Sequence, residues 1–184
     1  GAKNLLRWGG DLYTQFEAGA LAWNEFLFSH LELFEGGGDI LALYSGVGNS
    51  NSVTVLMDGG IHTVRNVSAS TMSVDRDQAR VGPIGTRGSV VYGGVLYFVA
   101  RDGIYQWDGV EAKKISKHIQ SDMDSWTLSD SCAVAYKGKV YFAFPSNSRI
   151  LEFDPDTYRT DGVGDGSVSF FRHSGVAISQ FQFN

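Results

Sequence analysis

The side chains of this 184-residue chain that could do chemistry are scattered along the sequence. The motifs of a serine-hydrolase elbow (GxSxG), a phosphate-binding loop (GxxxxGK[ST]) and a zinc protease (HExxH) are all absent from it. His62, His118 and His173 stand far apart, with no CxxC or paired histidine nearby, and His30 has no second ligand at suitable spacing. We therefore assign no catalytic, metal-binding or cofactor-binding residue, and we expect no cofactor and no enzymatic activity.

Three weaker candidates each have a structural interpretation that we favour. Cys132 is the only cysteine, so the chain cannot form an internal disulfide, and we interpret it as a small buried side chain of a strand. Residues 121–126 (SDMDSW) resemble the Asp-box turn of sialidases, but the glycine is missing and the pattern favours a helix. Asp154–Asp156 and residues 161–165 could hold calcium through loop oxygens, although Asp and Gly are also the usual residues of turns.

Composition points to an all-β protein. Hydrophobic residues make up 43% and aromatic residues 13% of the chain, and 23 glycines against 3 prolines suit many tight turns. A net charge of −5 supplies no basic field for DNA, so DNA binding as the main role is disfavoured. No apolar run approaches the roughly 20 residues that a membrane-spanning helix needs, and the first residues lack the apolar stretch of a signal peptide. We expect no membrane insertion.

The elements that must position these residues are clearest in Ser89–Gly109, SVVYGGVLYFVARDGIYQWDG. Runs of β-branched and aromatic residues alternate there with Gly-Gly and Asp-Gly turn formers, which predicts a three-stranded meander. The same order is predicted in residues 40–64 and again in residues 131–156. Each of these segments is a unit of fold without reaction chemistry of its own.

The remaining segments carry less regular signals. A hairpin is predicted over residues 1–16, a weak strand over 72–74, a strand over 167–172 and another strand from about Val176. Residues 20–34 fit either helical or strand spacing, with strand favoured because both neighbours are β. Ser116 is predicted to cap one short helix near residues 116–126, whose apolar face carries Ile115, Ile119, Met123 and Trp126.

The meanders repeat at a nearly fixed spacing. Tyr92, Gly94, Tyr97 and Phe98 return as Tyr136, Gly138, Tyr141 and Phe142, an offset of 44. Past a turn lengthened by two residues near Ser146 the offset becomes 46, and between the first two units it is 43. Units of about 40 to 50 residues, each a small antiparallel sheet, are typical of β-propeller blades.

We therefore predict an all-β chain that forms a single partial β-propeller over residues 1–184. Its blade-like units are approximately 36–80, 88–128 and 131–172, with incomplete units at both ends, within a larger or multi-chain propeller. A single blade leaves much of its two faces exposed and has two edge strands with unpaired backbone groups, so blades must pack on one another. The conspicuous aromatic side chains are therefore expected between blades. They are Tyr97, Phe98, Tyr105, Trp107, Tyr141, Phe142, Phe144, Phe153, Phe170 and Phe171.

Residues 81–109, followed by Lys114-Ile115-Ser116 and a second meander to Asp156, resemble a segment of tailed-bacteriophage virion proteins. The shared pattern is similar to G-x-x-x-x-x-S-V-V-x-x-G-x-x-Y-F-x-x-x-D-G-x-Y-x-[WF]-D-G. The resemblance covers residues 81–156 well and the rest loosely. It implies a propeller-bearing tail hub, nozzle or head-to-tail joining protein, of the kind that forms rings below the portal.

The resemblance implies a non-enzymatic structural component of a phage tail or connector, made in the host cytoplasm and located in the virion. Its expected partners are further copies of itself in a ring and other tail, portal or connector proteins, with DNA passing nearby without sequence-specific binding. The alternative is a propeller that binds or cleaves carbohydrate, which requires acidic and aromatic side chains converging in one pocket. A general protein-binding propeller is a third interpretation, separated from the first by the identity of its partners.

Overall fold

The computed structural model describes residues 5–9, 28–32, 39–48, 51–65, 73–75, 79–156 and 170–175. Within them the chain forms three four-stranded antiparallel sheets and one two-stranded sheet, with helical structure confined to short turns. The all-β prediction is thereby confirmed. The three larger sheets occupy residues 40–75, 89–114 and 132–174, and within the described ranges they do not close on themselves.

In each larger sheet the strands lie side by side in chain order, so every sheet is a simple meander. Sheet I contains β3 (Ile40–Ser45), β4 (Ser52–Met57), β5 (Gly60–Arg65) and β6 (Ser73–Asp75). Sheet II contains β7 (Ser89–Tyr92), β8 (Val95–Ala100), β9 (Gly103–Trp107) and β10 (Ala112–Lys114). Sheet III contains β11 (Cys132–Tyr136), β12 (Lys139–Phe144), β13 (Arg149–Phe153) and β14 (Phe170–Ser174).

The two-stranded sheet pairs β1 (Leu5–Gly9) with β2 (Phe28–Glu32). The strand favoured for residues 20–34 is thus confirmed over β2. The second half of the hairpin predicted in residues 1–16 lies outside the described residues, as does the strand predicted from about Val176.

The strand bounds follow the repeat detected in the sequence. β8 begins 43 residues after β4, and β12 begins 44 residues after β8. β13 begins 46 residues after β9, because the turn before it has four residues where the equivalent turn in sheet II has two. This four-residue turn begins with a 3₁₀ turn, Pro145–Asn147, and ends at Ser148 with φ +49°. The two-residue lengthening predicted there is confirmed.

The backbone conformation of the turn between β7 and β8 explains why both of its residues are glycine. Gly93 and Gly94 both have positive φ, +60° and +78°, as a two-residue hairpin turn with the twist of its strands requires. The equivalent turn in sheet III uses Lys137 at +47° and Gly138 at +82°. The glycine turns predicted from the sequence therefore have a direct conformational reason.

The three sheets pack in series, face against face. Leu56 and Ile61 of sheet I meet Phe98 and Trp107 of sheet II in one buried cluster. The opposite face of sheet II meets sheet III in a second cluster, whose fully buried aromatic side chains are Phe142, Phe144 and Phe153. The core is thus divided into layers between successive sheets. Of the ten aromatic side chains predicted to lie between sheets, eight lie in those layers, and the prediction is wrong for Tyr141 and Phe171, which lie on the face of sheet III turned away from sheet II.

The segment after sheet II differs from its prediction. Lys117–Ile119 forms a 3₁₀ turn that continues into a single α-helical turn, α1 (Gln120–Met123). The prediction that Ser116 caps the helix is wrong, because its side chain makes no capping hydrogen bond. Ser116 is fully buried, and its Oγ instead accepts a hydrogen bond of 3.0 Å from the Ile104 amide. The predicted apolar face is confirmed, since Ile115, Ile119, Met123 and Trp126 all pack in the core between sheets II and III.

Candidate functional site

The reactive side chains singled out in the sequence are separated from one another in the structure. Cys132 lies in β11 at 4% exposure, where it packs with Ala143 and Ile150. This placement supports the interpretation of Cys132 as a small core residue.

The histidines lie on different elements. His62 is buried in β5, His118 is exposed in the 3₁₀ turn, and His173 is exposed in β14, while His30 falls in β2. Among the described residues, no group of three or more His, Cys, Asp and Glu side chains is placed to hold a metal ion.

The aspartates proposed as weak calcium or Asp-box candidates make protein contacts. Oδ1 of Asp154 accepts a hydrogen bond of 3.1 Å from the Asp156 amide, which makes the loop an Asx turn. Asp108, its equivalent 46 residues earlier, accepts bonds from two amides in the same way. Asp122 of the 121–126 segment forms an ion pair of 2.8 Å with Arg172. Residues 161–165 lie outside the described ranges.

A polar cluster lies at the turn between β8 and β9. Oδ2 of Asp102 accepts hydrogen bonds from the Tyr105 hydroxyl at 2.8 Å and from Lys114 Nζ at 3.0 Å. Burial and the hydrogen bond to Asp102 raise the pKa of Tyr105 to about 12. Burial alone would raise the pKa of Asp102, but its hydrogen bonds from Lys114 and Tyr105 outweigh this and lower it. The cluster links the β8–β9 turn to the middle of β9 and to the end of β10, which gives it a structural role.

A second polar cluster lies on sheet III, on the face turned away from sheet II. Oε1 of Glu152 accepts a hydrogen bond from Lys139 Nζ, and Oε2 of Glu152 lies 3.1 Å from His173 Nε2. The hydrogen bond from Lys139 lowers the pKa of Glu152, and the same bond raises the pKa of Lys139. Lys139 Nζ also lies 5.7 Å from the ring centre of Phe171, which is 56% exposed.

Sequence reasoning missed this second cluster. Its three polar members, Lys139, Glu152 and His173, lie on the same face of three adjacent strands. Glu152 in the central strand β13 pairs with Tyr141 of β12 on one side and with Phe171 of β14 on the other. The signal that could have found it is the hairpin register: with β12 and β13 paired, Lys139 and Glu152 become diagonal neighbours of opposite charge.

The sheets also contact one another directly through hydrogen bonds and packed side chains. The Tyr44 hydroxyl of sheet I donates a 2.7 Å hydrogen bond to the Ser89 carbonyl of sheet II. The Ala133 amide of sheet III donates one of 2.9 Å to the carbonyl of Arg87, just before β7. β7 and β11 thus lie side by side, and the Tyr44 side chain links β3 to β7, while aromatic side chains fill the layers between the sheets.

No protein-family model and no curated protein matches the chain. In the part of the chain that the structure describes, no helix is long and apolar enough to cross a membrane. The arrangement of the repeated sheets and their contact faces is therefore the basis on which a function can be proposed.

Proposed function

We propose that the chain is a non-enzymatic structural component of a phage tail or head-to-tail connector, in which its sheets serve as β-propeller blades of a ring around the DNA conduit. The observation that carries this proposal is the series of three four-stranded meanders. They recur at offsets of 43 to 46 residues and pack face to face in chain order.

The geometry of the series supports the propeller part of the proposal. Blades of a propeller are four-stranded antiparallel sheets that pack on their neighbours around an axis. The hydrogen bonds Tyr44–Ser89 and Ala133–Arg87 keep the first strands of successive sheets together. The later strands of each sheet can then lie progressively farther from these first strands, as the outer strands of propeller blades lie farther from the propeller axis.

The phage part of the proposal is supported by the motif in residues 81–156 and by the character of the surface. The motif residues form sheet II and most of sheet III, so the resemblance covers one complete repeat. The net charge of −5 suits a protein that lets DNA pass without retaining it. A carbohydrate-cleaving site would need neighbouring carboxylates in one pocket, and no observation on the described residues favours it.

Electron microscopy of phage particles with antibodies raised against the recombinant chain tests the proposal. We expect labelling at one capsid vertex or along the tail, with pre-immune antibodies as the control, and a ring of copies in averaged images. A chain that is absent from purified particles and turns over a carbohydrate as a free monomer would contradict the proposal.

A further inference from the structure

The layer between sheets I and II contains two buried polar atoms that have no hydrogen-bond partner among the described residues. The indole Nε1 of Trp107 is a donor, and the hydroxyl Oγ1 of Thr54 can both donate and accept. Trp107 is 0% and Thr54 is 1% exposed. A buried polar group without a hydrogen bond destabilises a fold, so such groups are nearly always paired with the protein or with an ordered water molecule.

Both side chains face the same layer. Trp107 of β9 belongs to the buried cluster that joins the two sheets, together with Leu56 of β4. Thr54 lies two residues before Leu56 in that strand, and alternate residues of a strand lie on the same face of its sheet. The Thr54 side chain therefore points toward sheet II, while Trp107 points from sheet II toward sheet I.

The repeat places these two residues opposite each other. Thr54 corresponds to Tyr97 and Trp107 to Phe153, because β8 begins 43 residues after β4 and β13 begins 46 residues after β9. Tyr97 and Phe153 are in contact in the layer between sheets II and III, where their ring centres lie 5.5 Å apart. By this equivalence, Thr54 and Trp107 face each other across the layer between sheets I and II.

The difference in side-chain size between the two layers leaves space for a water molecule. Thr54 has no ring where Tyr97 has one, whereas the indole of Trp107 is larger than the phenyl ring of Phe153. The loss of volume exceeds the gain by roughly 30 Å³, which is the share of liquid volume that one water molecule occupies. A buried water needs about two to four polar partners, and the indole N–H and the hydroxyl supply two of them.

We propose that an internal water molecule binds between Trp107 and Thr54 and links sheet I to sheet II. The water accepts a hydrogen bond from the indole N–H and makes another with the Thr54 hydroxyl. Water suits both partners, because it can accept and donate at the same time. The link adds to the hydrogen bond from Tyr44 to Ser89, which joins the same two sheets. The site does not depend on the virion role of the chain.

Nuclear magnetic resonance of the isotope-labelled full chain tests the site. The indole proton of Trp107 is identified as the signal that is lost in Trp107→Phe. We expect a nuclear Overhauser cross-peak between this proton and water, together with slow exchange of the proton with solvent, because the site is buried. Trp126→Phe, at a Trp packed in the layer between sheets II and III, is the matched control and should leave the cross-peak unchanged. A Trp107 indole proton without a water cross-peak overturns the proposal.

Urea unfolding of Thr54→Val gives a second result, whose sign separates the alternatives. Valine has nearly the shape of threonine but lacks the hydroxyl. If the water is bound, Thr54→Val removes one of its partners, and the urea midpoint should fall by about 0.5 M, as expected for one lost hydrogen bond. Thr54→Ser, which keeps the hydroxyl, should retain the water cross-peak that Thr54→Val loses. A midpoint that is unchanged or rises in Thr54→Val overturns the proposal, because removal of an unpaired buried hydroxyl does not destabilise a fold.

Discussion

At the scale of single residues, the most informative group is Glu152. Its side chain is 14% exposed and contacts both Lys139 and His173. The hydrogen bond from Lys139 is the largest influence on the Glu152 pKa, which it lowers against the opposing effect of burial. The ionised carboxylate of Glu152 is therefore favoured over the protonated form more strongly in the folded state than in the unfolded state.

Replacing Glu152 by Gln should flatten the acid side of the stability profile. The lowered pKa means that the unfolded chain binds more protons as the pH falls through the ordinary carboxyl range. The contribution of Glu152 is thus present above its unfolded pKa and is lost as the pH falls through the folded pKa. Urea unfolding at several values between about pH 3 and pH 6 should show a smaller loss of stability in Glu152→Gln than in the wild type.

Glu111→Gln provides the comparison for this experiment. Glu111 is 64% exposed and contacts only the neighbouring Lys113 among the ion pairs of the structure's described part. Its substitution should leave the pH profile close to that of the wild type, because exposed pairs contribute little. Equal profiles for Glu152→Gln and Glu111→Gln would contradict the role given to the Glu152 cluster.

At the scale of elements, the links between sheets depend on close backbone approach. Gly82 lies in the segment that leads from sheet I to sheet II. A Cβ added there would lie 2.1 Å from the Met57 carbonyl oxygen and 2.7 Å from the Gly60 amide nitrogen. Both neighbours are backbone atoms of the β4–β5 hairpin, so the linking segment packs directly on that hairpin and leaves no room for a side chain at Gly82.

Gly82→Ala should therefore destabilise the protein by about 1–3 kcal/mol, the usual range for overpacking a filled site. Gly59→Ala is the matched control, because its added Cβ meets no atom within 4 Å and its φ is not in the left-handed region. Chemical unfolding of both variants measures the difference. If Gly59→Ala were the more destabilising change, the contact of Gly82 with the hairpin would have no energetic role.

At the scale of the whole molecule, sheets I, II and III share two buried layers. Phe98 fills the layer between sheets I and II, and Phe142, 44 residues later, fills the layer between sheets II and III. Both side chains have zero exposure. Since sheet II belongs to both layers, loss of either layer exposes one of its faces, and we expect the three sheets to unfold together.

Phe98→Ala and Phe142→Ala should each lower the free energy of unfolding by about 3–5 kcal/mol through lost burial and cavity formation. Each should still show a single transition, and hydrogen exchange should report weaker protection in all three sheets. Val110→Ala, at an 84% exposed site, should change stability by less than about 0.5 kcal/mol. Two separate transitions, with protection lost only next to the substituted residue, would show that the layers are independent.

The sequence by itself determined the strands and their repeat. Alternating apolar residues between Gly-Gly and Asp-Gly turns predicted β7, β8 and β9 nearly to the residue, and the offset change from 44 to 46 predicted the longer turn at Pro145–Asn147. These features are local, since turn conformation and side-chain alternation depend on neighbours along the chain. The propeller, the virion role and the ring are not tested by this structure and stay predictions.

Only the tertiary structure determined which contacts the side chains singled out in the sequence make and which of them remain exposed. Ser116 fits a helix cap by type, yet its hydroxyl binds the Ile104 amide, because this buried donor would otherwise be left unpaired. Glu152, Lys139 and His173 meet only once three strands are in register. Phe171, predicted to lie between sheets, is exposed on sheet III. Each outcome depends on contacts between residues distant in the chain, and packing and hydrogen-bond satisfaction fix these contacts only after the sheets have come together.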